Sequence, residues 1–524
     1  MTRAVKDESR SGQASYRPGR AWDEACEPDG RPRRHYAPVM EALAAADLEE
    51  LSRKVTTHLE GEGVSFGGGG GSAFLVDPVP RILAAEEWSR LEAGVAQRTR
   101  ALAQFVSDVY GERRIVEAGH VPARVIESAG HFEPSMMGVE VPAPGYVAGL
   151  DLVRGADGEL RVLEDNIRTP SGVAYLLAAR GAVDSHLPVE APRARRDLSS
   201  AYEWLAQTLR DAAPSGVADP LVVILSDGPQ NSAWWEHTQI AHALGVPLLT
   251  PSSFSSGAGR LRAKVDGITR PVDVVYRRTD EDRLQDTDGR PTWIADLMLE
   301  PVRRGTLAVV NPLGCGVADD KLVHAYVEAM VRFYLDEEPL LRSVPTHDLG
   351  DPEARESALS RVGELVVKPR SGLGGQGIVV GPHASGEALR EIANRVTEKP
   401  EEWIAQDLVA LSTHPTVCEG RLEPRHVDLR PFAIGSAGGL PGGSPGGLPG
   451  GLQRGAVPPF EDIRAVPPFD DIRAVPPFDD IRAVPSFEDI RVVPGGLTRV
   501  AFDRGNIVVN SSQNGGGKDT WVIA

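Results

Sequence analysis

Residues 149–172 read GLDLVRGADGELRVLEDNIRTPSG. DLV is a short apolar strand, GADG supplies turn-forming residues, and ELRVLEDN alternates like the returning strand of a hairpin. An antiparallel hairpin brings Asp151 opposite Glu164, and the period of two keeps Glu164 and Asn166 on one face. Three oxygen-bearing side chains then converge. A hard cation of the Mg2+ type favours carboxylate and amide oxygens, with phosphates and waters completing its octahedron. The same spacing also suits a plain hairpin whose acidic residues face water, so other parts of the chain have to decide.

Around this hairpin the composition sets limits. A chain of 524 residues is too long for one compact core and implies two to four lobes. A hydrophobic fraction of 41% and a charged fraction of 25% belong to a folded globular protein. The net charge of -18 argues against broad affinity for nucleic acid or for an anionic membrane surface. Cys26, Cys315 and Cys418 are far apart and show no CxxC spacing, which suggests a reducing compartment and no structural zinc. The N-terminus lacks the apolar core of a secretion signal, and no apolar run approaches the roughly 20 residues that span a bilayer. The expectation is a cytoplasmic protein.

Upstream, residues 1–18 read as a disordered leader and 19–120 as a mainly helical region. Helical patterns cover 38–60 and 84–111, where Trp88, Leu91, Val95, Leu102, Phe105 and Val106 lie near one stripe. The glycine run in 63–74 reads as a loop. The hairpin sits in a segment from 121 to 190 that ends in the helix SGVAYLLAAR, with Ser171 expected as its N-cap. Residues 218–345 alternate strand and helix (LVVILSD, NSAWWEHTQIAHALG, VPLLT, VDVVYRR, TLAVVN), a pattern that predicts a parallel, Rossmann-like sheet. No GxGxxG follows the first strand, which disfavours a dinucleotide.

Residues 346–435 carry a phosphate-type motif. In ELVVKPRSGLGGQGIVVG, Lys368 ends an apolar strand, a turn with Gly372, Gly374, Gly375 and Gly377 follows, and a second apolar strand returns. Backbone N–H groups at such a tip can close over phosphate oxygens beside an ammonium. An ordinary hairpin turn needs only one or two glycines, so four are poorly explained by turning alone. EEWIAQDLVAL then reads as a strand carrying Gln406 and Asp407. The tail SSQNGGGKDT lacks GxxxxGK[ST] spacing, which excludes a Walker loop. It reads instead as a loop lining a substrate or phosphate site, with Asn514 and Lys518 as candidates. Cys315 reads as a loop thiol, because no His is placed beside it.

The strings VLEDNIRTPSGVAYLLAAR, VDVVYRRTDED, GVADDKLVHAYV, ELVVKPRSGLGGQGIVVGP, RHVDLRPFA, PGGLTRV and VVNSSQNGGGKDTWV, in that order, resemble the ATP-grasp superfamily. The closer resemblance is to its circularly permuted type 2 branch, with glutathionylspermidine synthetase as a more distant relative. In unpermuted ATP-grasp enzymes the lysine and glycine loop precede the D…ExN hairpin; here the order is reversed. The resemblance implies an α/β (α+β) permuted ATP-grasp fold with a Rossmann-like lobe before the ATP-grasp lobe and a helical N-terminal region. It implies that Asp151, Glu164 and Asn166 bind Mg2+ (or Mn2+) with ATP, and that Lys321 and Lys368 contact phosphates. The glycine loop would close over the triphosphate, the Gln406 strand would hold adenine, and Arg430 would face the phosphates or the reacting carboxylate. The implied chemistry is ligation of a carboxylate to an amine or similar nucleophile through an acylphosphate. A phosphotransferase and a non-catalytic scaffold are the other readings.

One segment departs from that pattern. Residues 436–490 hold GGLPGGSPGGLPGGL and then AVPPFEDIR, AVPPFDDIR, AVPPFDDIR and AVPSFEDIR, before the C-terminal part, 491–524. Double prolines forbid regular helix or central strand, and so few apolar residues per repeat cannot bury a solenoid core. A disordered, tolerated expansion is expected, with a docking tail for a protein partner as the alternative.

Overall fold

The computed structural model describes residues 16–68, 71–141, 144–371, 377–436, 490–503 and 515–523. Nearly all of the leader, almost the whole repeat insert, Gly372, Gly374, Gly375 and Asn514 lie outside those residues.

The helical stretch expected over 38–60 is two helices, α1 (Ala37–Ala45) and α2 (Leu48–Gly61). Asp47 separates them because its side chain accepts from the Glu50 N–H and caps α2. The N-terminal region is not purely helical. Val76–Ala84 forms a strand, β1, and the apolar stripe of 84–111 forms α3 (Ala85–Tyr110), with Trp88, Val95, Leu102 and Phe105 fully buried.

Asp151–Arg154 (β2) and Leu160–Glu164 (β3) form the hairpin, with Gly158 at φ 81 in its turn. The helix that follows, α4 (Val173–His186), is not capped by Ser171 as the sequence suggests. Its first N–H groups, from Gly172 and Ala174, donate to the Glu236 carboxylate at 2.7 and 3.1 Å, while the Ser171 hydroxyl accepts from Arg278. A buried carboxylate from a distant segment complements the helix N-terminus better than a local hydroxyl.

Val222–Ser226 (β4) and Val274–Arg278 (β5) lie side by side in a four-stranded sheet, flanked by Leu248–Leu249 and Ala308–Val310, with every pair parallel. Their near-continuous apolar runs suit strands buried on both faces. Helix α5 (Trp234–Leu244) ends at Gly245, φ 64. Between these strands, residues 254–271 add a three-stranded antiparallel sheet that the sequence reading does not separate out.

Leu365–Pro369 (β6) and Trp403–Asp407 (β7) are the middle strands of a four-stranded antiparallel sheet whose edges are Thr346–Asp348 and Val379–Val380. Leu365, Val367, Ile392, Val396 and Trp403 form its own small core. The largest sheet is assembled from both ends of the chain. Its path runs Arg342–Ser343, β3, β2, Arg421–Arg430 (β8), Leu497–Ala501 (β9), Gly515–Ile523 (β10) and β1. Thus β1 pairs in parallel with the last strand of the chain. This long-range closure sets the hairpin beside β8 and β9.

Candidate active site

In the hairpin, Asp151 and Glu164 are register partners, with an irregularity before Leu152. Glu164 opens on a narrow cleft lined from three separate parts of the chain. Leu163, Glu164 and Asp165 come from the end of β3; Asp319, Lys321 and His324 come from the ADDKLVH segment; Lys368, Ile404 and Gln406 come from β6 and β7. Gln406 ties the two sheets together by donating from Nε2 to the Leu163 carbonyl at 3.3 Å and to Thr346 Oγ1 at 2.9 Å. Lys368 is 6% exposed and its Nζ stands 3.9 Å from Glu164. Burial pushes the Lys368 ammonium below its ordinary value; Lys321 adds to that, while Glu164 and Asp151 oppose it.

Asp151 is held from the other side. Arg430 donates to its carboxylate from Nε at 2.6 Å and Nη2 at 2.9 Å, and Arg499 Nη2 stands 2.9 Å away. Burial alone would raise the Asp151 carboxyl, but Arg430 and Arg499 outweigh it and hold it below the ordinary value. Arg499 also binds Asp428. A Cβ at Gly149 would come within 2.8 Å of Pro170 and 3.2 Å of the Arg430 side chain, so glycine there leaves room for this guanidinium. Asp428 and Arg499 were not among the residues singled out from sequence. The signal was present: in RHVDLRPFA, Asp428 and Arg430 are two apart on one strand and share its face.

Asp165, between Glu164 and Asn166, follows the last residue of β3 and lines the same cleft. It receives Arg98 of α3 at 2.6 and 2.8 Å and His324 Nδ1 at 2.6 Å, all three groups buried. Burial raises Asp165, but Arg98 and His324 override that and keep it well below the ordinary carboxylate range. Asp319, also unmarked in the sequence reading, accepts from the Ile167 N–H at 2.7 Å. Burial pushes its carboxyl up to about 7.

Lys518 requires a correction. It sits in strand β10, not in a loop, is 0% exposed, and donates to Asp77 and to the Pro415 carbonyl. Its charge is neutralised inside the core, so it offers nothing to a phosphate. Gly377, at φ 73, is the described residue of the glycine loop. Cys315 is buried, donates to the Ile167 carbonyl at 3.4 Å, and has its thiol pushed up to about 12 by burial, which leaves no thiolate for nucleophilic work.

The candidate donors for a divalent cation, Asp151, Glu164 and Asn166, are two carboxylates and an amide. Among the described residues no three His, Cys, Asp or Glu side chains form a metal cluster by themselves, so ligand oxygens would have to complete any coordination here. One feature suits such a set: Glu164 stands in register opposite Asp151. One counts against immediate binding, since Asp151 carries two guanidinium groups.

Residues 80–456 match the family described as circularly permuted ATP-grasp type 2. The chain belongs to this family. It is 36% identical to an uncharacterized Mycobacterium tuberculosis protein over 96% of this chain and 84% of the relative. An uncharacterized Synechocystis protein is 37% identical over 97% of this chain and 98% of its own length. A Frankia alni protein with the provisional name glutamate–cysteine ligase 2-3 is 38% identical over 97% of this chain, which spans only 54% of that longer protein. Among solved structures, a glutathione synthetase-like effector from Globodera pallida, in its apo form, is similar in fold, with a TM-score of 0.56 and 10% identity. The match covers 95% of this chain and all of that one. The fold is therefore a circularly permuted ATP-grasp of mixed helices and sheets. Among the described residues no helix is long and apolar enough to cross a membrane.

Proposed function

We propose that this protein is an ATP-dependent ligase that joins a carboxylate to an amine or similar nucleophile, its substrate a small molecule or peptide. The observation that carries this reading is the cleft itself. It brings Lys321, Lys368 and Gln406 to Glu164, and Glu164 to Asp151 and Arg430, although these residues come from opposite ends of the family's motif order.

The protein's part is positioning and charge neutralisation. Lys368, depressed by burial, gains most from an anion, because a phosphate restores the counter-charge that desolvation removed. Lys321 lines the same cleft and adds a second cation. Arg430 is fixed by two hydrogen bonds to Asp151, which sets its guanidinium plane without a reorganisation cost during reaction. Asp151, Glu164 and Asn166 would hold Mg2+ or Mn2+. When bound, the metal supplies charge stabilisation to the phosphate oxygens. In the reaction the substrate carboxylate oxygen bonds to the γ-phosphorus as the bond to the β-bridging oxygen breaks, giving ADP and an acylphosphate. The amine then displaces phosphate and loses a proton.

Incubation with Mg-ATP and arrays of carboxylates and amines tests this. ADP release that needs both substrates supports ligation; release that needs one identifies a phosphotransferase, and none identifies a scaffold.

A further inference from the structure

The four-stranded parallel sheet has a switch point. From β4 the chain crosses to Leu248–Leu249 on one side, and from β5 it crosses to Ala308–Val310 on the other, so strand order reverses between β4 and β5. Open parallel sheets bind ligands outside the carboxyl ends of their strands at such a point. Arg277 and Arg278 are the last two residues of β5, and alternation sends them to opposite faces. Arg278 is met there: Nη1 donates to the Pro170 carbonyl at 2.9 Å, Nη2 donates to Ser171 Oγ, and Glu236 stands 3.3 Å away. Arg277 is not. It is 1% exposed, its Nε and Nη1 are buried without a hydrogen bond, and its ion contact among the described residues is Asp282 Oδ2 at 3.6 Å.

Asp282 is shared. Arg168 Nε stands 3.3 Å from the same Oδ2, and His131 Nδ1 stands 3.4 Å from Oδ1. Arg168 Nη1 also meets His131 Nε2 at 2.8 Å; a guanidinium can only donate, so Nε2 accepts and the Nδ1–H is the donor left over, buried and without a hydrogen bond. Burial would raise the Asp282 carboxyl, but His131, Arg277 and Arg168 hold it at about 2, so it is one full negative charge. Glu133, Asp280 and Asp319 also feel His131 or Arg168, yet burial raises all three, and Glu133 and Asp319, pushed up to about 7, are only partly ionised at neutral pH. Two guanidinium charges around one carboxylate, at distances too long for good hydrogen bonds, leave one positive charge in excess and buried donors bare. Such a place suits a monoanion; a phosphate monoester, with nearly two negative charges, fits it less well. We propose that Arg277, Arg168 and His131 hold a carboxylate of the substrate that the reaction leaves intact, so that one substrate is an amino acid, a peptide or a dicarboxylic acid. None of the three lines the cleft, so this carboxylate is not the one that meets the phosphates. Asp319 joins the two places, lining the cleft while accepting from the Arg168 N–H at 3.3 Å. The inference rests on the ligase reading above and names a substrate class for it.

Calorimetric titration of the full chain, with Mg-ADP present, against glycine, alanine, glutamate, succinate and glutarate and against their methyl esters tests it. At least one free acid is expected to bind about tenfold to a hundredfold more tightly than its ester. Arg277→Met should bring acid and ester level, and Arg277→Lys, which restores the charge without the planar fork, should recover part of the difference. Arg168→Met, at a side chain 13% exposed, provides a second route if Arg277→Met fails to fold by circular dichroism. An amino acid at the head of the panel assigns the anchor to the amine partner and a dicarboxylate assigns it to the acyl partner; both support it. Binding of no free acid, equal affinity for acid and ester, or an unchanged difference in a folded Arg277→Met or Arg168→Met protein overturns the inference. So does inorganic phosphate that binds more tightly than every acid and is lost in Arg277→Met. ADP release in the two-substrate assay reads ligation separately. Release indifferent to esterification removes the anchor alone, and acid-selective binding in a protein that releases no ADP removes the ligase reading alone.

Discussion

Lys368 and Lys518 are both strand lysines hidden from water, 6% and 0% exposed, and burial pushes both ammonium groups below their ordinary value. They differ in where the compensating charge stands. Lys518 donates to Asp77 and to the Pro415 carbonyl within the large sheet, so its charge is taken up inside the protein. Lys368 lies 3.9 Å from Glu164, beyond hydrogen-bond range, and shares its cleft with Lys321. Burial alone does not identify a ligand-binding lysine. What makes Lys368 the candidate is a counter-charge that the fold leaves incomplete.

The largest test of this contrast is Lys518→Met. It leaves Asp77 in the core without its cation, held only by the Val79 and Val417 N–H groups, and urea unfolding should show a loss of about 3–5 kcal/mol. An unchanged midpoint would mean that the pair contributes nothing and would dissolve the contrast. Lys368→Met should do the opposite. Stability is expected to hold or rise slightly, because a partly compensated cation is removed from a buried site, while calorimetric ATP affinity falls roughly tenfold to a hundredfold. Glu164→Gln sharpens the same point: the fold should persist, and ADP formation should become undetectable in an assay that detects it for the wild-type protein. Full turnover by a folded variant would exclude a metal role for Glu164.

A smaller effect concerns Asp319, whose carboxyl is raised to about 7 by burial in the same cleft. Its unfolded value lies near 4, so between about pH 4 and pH 7 the unfolded chain has released the proton and the folded one retains it. The stability it contributes is complete below about pH 4 and is lost as pH rises through 7, at up to ~1.4 kcal/mol per pH unit. Asp319→Asn should flatten that part of the unfolding profile; an unaltered slope would show that the cleft is wetter than Lys368 implies. The smallest expected effect is removal of residues 437–489. Phe432–Ser436 and Arg491–Val492 pair antiparallel, Ala433 opposite Val492, so the insert leaves and returns at neighbouring points. A short turn there should leave the thermal midpoint within about a degree or two, since loop closure costs grow only slowly with length.

The hairpin was legible because its information is local. Alternation and a turn place Asp151 opposite Glu164, and neither depends on the rest of the chain. The stripe of α3 was legible for the same reason, through its 3.6 period. Asp47 as a helix break and Glu236 as the cap of α4 were not separated out. The first is a local signal inside a longer apolar pattern, and the second arrives from 62 and 64 residues away. GGGKDT was misread as a loop because glycines normally mark loops, whereas here they let β10 pack tightly: a Cβ at Gly516 would meet Phe502 at 2.4 Å.

By itself, then, the sequence determined which chemical groups were present and in what order, including the reversed placement of the D…ExN hairpin and the Lys368 glycine segment. Those properties are carried by residue identity, short-range periodicity and motif order. The tertiary structure decided which charges remain open. It paired Lys518 with Asp77, set Arg430 and Arg499 on Asp151, and brought His324 against Asp165. Those outcomes depend on strands from both ends of the chain meeting in one sheet, because a charge is neutralised by whatever lies within a few ångströms in space, at any distance along the chain.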